Sequence, residues 1–119
     1  MKRDMDLMRE ILLVTESDGA HKSPDHYTQR EIAYHVKLLI EAGLIEGVVA
    51  CENENGRQVP VAYAISRLTI AGHDFLDAAR ENKVWEKAKS TIKEKGVGWT
   101  VDIVKAICIQ IAKSHLGLP

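Results

Sequence analysis

The chain has 119 residues, of which 45% are apolar, 28% charged and 5% aromatic, and its formal net charge is −1. That describes one globular domain with at most a small appendage, too apolar for wholesale disorder, too poor in rings for a stacking platform on single-stranded nucleic acid, and without the run of roughly 18 apolar residues that spans a bilayer. The charge is unevenly placed: residues 1–81 hold 9 Lys/Arg against 14 Asp/Glu, net −5, and residues 82–119 hold 7 Lys against 3 Asp/Glu, net +4, which is not the basic face that phosphate neutralisation needs.

The spacing predicts a first helix from Asp4 to about Glu16, with the Asp4 carboxylate as cap and Met8, Ile11, Leu12 and Thr15 along one stripe. Residues 17–27, with Gly19 and Pro24, read as a loop. Thr28-Gln29-Arg30-Glu31 is a capping box that opens a helix over 28–42, and Tyr27 and Ile32 have the spacing of a hydrophobic staple. Ile32, Val36, Leu39 and Ile40 make its expected apolar stripe, and Gly43-Leu44 its Schellman end.

Two β-branched stretches then flank Asn55-Gly56, the signature of a type I′ hairpin turn. A two-residue loop places Glu54 opposite Arg57 and Val48 opposite Tyr63, with Pro60 facing out on an edge. Thr69 is expected to cap a helix to about Glu81, burying Ile70, Phe75, Leu76 and Ala79. Asn82 is expected to cap the next helix, with Val84, Trp85, Ala88 and Ile92 inward and five lysines between Lys83 and Lys95 as a basic coat. Gly96-Val97-Gly98 breaks it, and Thr100 opens a last helix to about His115.

HVKLLIEAGLIEG (35–47) followed by RLTIAGHDFL (67–76) resembles winged-helix regulators of the arsenic-repressor and multiple-antibiotic-resistance type. Nearly the whole chain is similar to a family of short phage and prophage proteins with a MKRDMDL-like start and no activity attached to it. The resemblance implies an α-rich α+β fold: a reduced winged helix with one β-hairpin wing over residues 1–81, and two extra C-terminal helices over 82–119 as an appendage. It departs from the pattern at residues 17–27, which are too few for the separate helix that normally props a recognition helix against DNA.

The implied function is a phage or prophage DNA-binding regulator, working as a homodimer. Its candidate contacts to double-stranded DNA are Gln29, Arg30, Tyr34 and Lys37 on the central helix, with Ala33 nearby, and Arg57 on the wing. The competing reading is a protein-interaction module, bound to a host or phage protein, that kept the scaffold without DNA binding. Glu31 and Glu41 on that helix, and Glu52 and Glu54 on the wing, favour it. The last helix is apolar nearly all round, so Ile103, Val104, Ile107, Ile109 and Ile111 are the candidate oligomer interface.

No catalytic motif, phosphate loop or cofactor fingerprint is present, so an enzyme is not expected, nor a cofactor. His21, Asp25 and His26 share a loop but match no metal spacing. Without an export signal, Cys51 and Cys108 read as the reduced thiols of a cytoplasmic protein, with no membrane contact.

Overall fold

The computed structural model describes residues 2–18 and 24–117. They form an α-rich α+β fold of five helices and one antiparallel hairpin: α1 Met5–Glu16, α2 Gln29–Glu41, β1 Ile45–Glu54, β2 Arg57–Leu68, α3 Ile70–Ala79, α4 Asn82–Lys95 and α5 Val101–His115. The chain divides into two compact units, residues 1–73 and 74–119, with the division inside α3. Of the expected loop at 17–27, residues 19–23 lie outside the described residues, and 24–27 form no helix.

In the first unit, α1 packs on α2 and β2, and α2 packs on both strands. Asp4 starts α1 by accepting from the backbone N–H groups of Asp6 and Leu7. Thr28 and Glu31 form the reciprocal capping box at α2, at 3.1 and 2.9 Å. α2 ends in a Schellman motif: the Leu44 N–H donates to the Leu39 carbonyl and the Gly43 N–H to the Ile40 carbonyl, both at 3.0 Å, with Gly43 at φ 76°.

The buried stripe of α2 is Ala33, His35, Val36 and Leu39, so the helix is rotated relative to the expected one. Ile32 and Ile40 are only half-buried, and Ala33, placed above on the DNA face, is fully buried. The rotation follows from His35, whose ring atoms find partners inside.

The hairpin turns at Asn55 and Gly56, both at positive φ (53° and 81°), as a type I′ turn demands. Glu54 pairs with Arg57, but the register then slips twice, leaving Val61 and Ser66 as the extra residues of β2. Val48 therefore faces Ala64, not Tyr63, which pairs with Val49. Pro60 sits opposite Cys51 beside the first slip, and its ring is buried instead of facing out. A bulge is where a strand accommodates a residue without an N–H donor.

Thr69 ties the end of α2 to the start of α3. Its hydroxyl donates to the Gly43 carbonyl at 2.6 Å and accepts from the Gly72 N–H at 3.0 Å, while its own N–H donates to the Leu44 carbonyl. Gly72 lies so close to that carbonyl that a Cβ there would collide with it. Ile70 is 79% exposed, not buried, because it points away from the face of Gly72, Leu76 and Ala79.

In the second unit α4 packs on α5. Val84, Trp85, Ala88 and Ile92 are its buried face. The N-cap of α4 is Glu81 and not Asn82, and Glu81 makes no side-chain cap bond. Gly96 ends the helix in the left-handed conformation at φ 68°. Thr100 caps α5 by accepting from the Ile103 N–H, and α5 turns Val104, Cys108 and Ile111 inward.

Candidate functional site

The residues singled out in the first unit converge at the α2 N-terminus and the hairpin tip. The capping box fixes the first turn of α2 and carries Gln29 and Arg30 into solvent. Arg30 donates to Glu54 at 2.6 Å and lies 3.6 Å from Glu52. That hydrogen bond, and the attraction of Glu54 and then Glu52, raises the Arg30 pKa further above its ordinary value. Arg57 is exposed across the turn and pairs with Glu54 in the strand register. The Asn53 side chain accepts from the Gly56 N–H and closes the tip.

Tyr34 and Lys37 are half-buried on α2. The Tyr34 ring stands edge-on to His35, 5.2 Å between centroids and 85° between planes. At the other end of the hairpin, Glu46 and Arg67 form a two-point ion pair, Nη2 at 2.7 Å and Nε at 3.1 Å. Glu46 and Arg67 pair across the strands.

A polar cluster that the periodicity did not reveal lies behind this surface. His35 is 2% exposed. Its Nε2 accepts from the Asp4 N–H at 2.8 Å, so Nδ1 carries the proton and donates to the Glu31 carbonyl at 2.7 Å. The second Asp4 oxygen accepts from the Tyr27 hydroxyl at 2.9 Å. Burial, that hydrogen bond, and the charges of Asp4, Asp6 and Glu31 push the Tyr27 phenol up to about 12. One carboxylate thus caps α1 and holds Tyr27, while the backbone beside it holds α2. The cluster positions the α2 N-terminus. Its one local signal was a histidine inside an otherwise apolar face. Its partner Asp4 is 31 residues away, beyond the reach of any spacing rule.

Of the candidate interface on α5, Val104 and Ile111 are buried within the single chain, at 0% and 9% exposure. Ile103 and Ile107 are half-buried, and Ile109 is exposed. Among the described residues no helix is long and apolar enough to cross a membrane, and no group of three His, Cys, Asp or Glu could hold a metal. His21 lies outside the described residues. Cys51 is exposed on β1, Cys108 is buried on α5, and both are free thiols.

Residues 2–98 match the protein family described as hypothetical protein DUF2513. The chain belongs to the DUF2513 family. In this DUF2513 protein the match takes in the whole hairpin surface and α4, and stops short of α5. A Haemophilus influenzae protein, named only as uncharacterized, is 36% identical over 124 positions, covering 98% of this chain and 100% of that protein. No solved structure matches the chain.

Proposed function

We propose that this DUF2513 protein is a phage or prophage accessory protein that works as a protein-interaction module, on a reduced winged-helix scaffold that presents an acidic hairpin tip and does not read DNA. One observation carries the reading: Arg30, the side chain best placed to reach a base edge, is already held by Glu54 and Glu52. A phosphate at this tip would have to displace a charge-assisted bond and approach two carboxylates, and the net −5 of residues 1–81 opposes it. The partner surface that fits is basic. The phage setting rests on the resemblance of the chain as a whole. Assembly is a homodimer through the part of α5 that its own chain covers incompletely, the half-buried Ile103 and Ile107 and the exposed Ile109.

Three measurements test this. Duplex DNA should show no anisotropy change at ~50 mM salt, where counterion release favours association, and salt-sensitive binding there overturns the reading. Affinity capture from host lysate should recover a protein that is lost with the Glu52→Lys/Glu54→Lys chain; equal recovery by both removes the hairpin tip as the contact. Light scattering should give twice the chain mass, and Ile109→Glu should return it to the single-chain mass with the helical content intact.

A further inference from the structure

A separate surface lies within residues 74–117. Gly96 turns the chain off the α4 axis, and α5 begins only at Val101, so Val97 and Trp99 do not continue the helix. They wall an open groove of about 480 Å³, against Lys89, Ser90, Ile92 and Lys93 of α4. Its volume falls in the roughly 300–1,000 Å³ range of pockets that hold ligands. The floor, Ile92, is fully buried, whereas Val97 is 40% exposed and Trp99 is half-exposed. An indole and a valine left against water beside a closed apolar floor are the anchor-pocket arrangement of protein interfaces.

The charged side chains that line the groove are Lys89, Lys93 and Glu86, a net charge of +1. Lys93 stands exposed on its rim, and Lys89 lies on the same side, paired with Glu86 at 3.2 Å. Lys83 and Lys87 lie on other faces of α4, and residues 82–119 as a whole carry net charge +4. Residues 82–119 contain no arginine, the residue that matches a phosphate with two parallel donors. The carbonyl end of α4 closes the groove at Gly96, and Lys93 and Lys95 in the last turn offset its partial negative charge.

We propose that this groove docks an acidic peptide segment carrying one bulky apolar side chain. The apolar side chain sits on Val97, Trp99 and Ile92, and the flanking carboxylates face Lys93 and Lys89. The proposal rests on the reading of the chain as a protein-interaction module, and adds a second partner class to the basic one expected at the hairpin tip.

The test is selection of a random dodecapeptide library, displayed on yeast, against the full chain. Enriched peptides are then measured for protection of Trp99 from acrylamide quenching; Trp85 is 2% exposed and shielded, so the quenchable signal belongs to Trp99. The expected result is a set of peptides with Asp and Glu around Leu, Ile or Phe. They should protect Trp99 and bind Lys93→Glu about tenfold more weakly. Lys93 is exposed, so that variant keeps the fold, and circular dichroism checks it. No enrichment, enriched peptides without net negative charge, or equal binding to Lys93→Glu overturns the proposal. Protection of Trp99 by a duplex oligonucleotide, lost in the same variant, overturns it in favour of nucleic acid. The Glu52→Lys/Glu54→Lys chain should keep its peptide binding, so failure at the groove and failure at the hairpin tip are read separately.

Discussion

In residues 1–73 a side chain holds the backbone at nearly every change of direction: Asp4 and Thr28 at helix starts, Asn53 at the hairpin turn, Thr69 between β2 and α3. In residues 74–117 Thr100 does so at the start of α5, whereas α4 begins at Glu81 without a side-chain cap and ends on Gly96. The second unit relies instead on buried apolar residues, among them Phe75, Trp85, Ile92 and Val104. The difference separates two kinds of information. Directional bonds at about 1 kcal/mol each specify where a chain turns, and apolar burial supplies most of the free energy without fixing detail. The first unit should therefore be sensitive to small changes at particular positions, and the second to loss of volume.

The largest effect belongs to the second unit. Trp85→Ala should cost about 3–5 kcal/mol, as other buried Trp truncations do, because the indole is 2% exposed and its removal leaves a large void. Trp85→Phe should retain the fold with a much smaller loss. Equal denaturation midpoints for the two variants would show that volume is not what holds this unit.

Next comes a contrast between two glycines. A Cβ at Gly72 meets the Leu44 carbonyl, while a Cβ at Gly98 meets nothing within 4 Å. Gly72→Ala should destabilise by about 1–3 kcal/mol, the usual range of overpacking, and Gly98→Ala should be neutral. Thermal melts of the two single variants measure it, and a neutral Gly72→Ala breaks the comparison.

What was legible in the sequence follows the same division of information. Local bonds were readable: the Asp4 cap, the Thr28–Glu31 box, the Gly43–Leu44 end and the Asn55-Gly56 turn all depend on residues within a few positions of one another. The register of the hairpin was not, because Val61 and Ser66, the extra residues of β2, carry no turn signal of their own. The rotation of α2 was missed because Ile32 and Ile40 outweigh Ala33 by size, and the bond that admits His35 comes from Asp4. The candidate site was legible as a set of residues but not as a charge balance. Nothing in the spacing of Arg30 shows that Glu54 lies 2.6 Å away.

The caps give the third test. Thr28→Ala should cost about 1 kcal/mol, since it removes the acceptor for the Glu31 N–H. Glu81→Ala, at the start of α4, should leave the midpoint unchanged because no cap bond is lost there. A comparable loss in both would mean that capping chemistry does not distinguish the two units.

Tyr27→Phe should have a smaller effect at neutral pH, and its pH dependence carries the information. The Tyr27 phenol is raised from 10.0 to about 12 in the folded chain. A raised pKa means that folding favours the protonated phenol. The resulting stability is fully present below pH 10 and is lost as pH climbs through about 12. The gap in melting temperature between wild type and Tyr27→Phe should therefore close across that window. A gap that stays constant through it would show that Tyr27 does not hold its proton through the bond to Asp4.

Arg30→Ala should have the smallest effect on stability and the clearest one on function. The guanidinium is exposed, and exposed ion pairs stabilise folds little because solvent screens them and two mobile side chains must be ordered. The melting temperature should stay at the wild-type value. Removing Arg30 leaves Glu52 and Glu54 opposed at the tip only by Arg57, so a basic partner should bind as well as before or more tightly. A recognition helix behaves oppositely: loss of its first-turn arginine weakens duplex binding and relaxes base preference. Thermal melts and duplex anisotropy at ~50 mM salt, run on wild type and variant together, separate the two. If wild type binds duplex and Arg30→Ala does not, the bond to Glu54 is a resting contact that DNA displaces, and α2 is a reader after all.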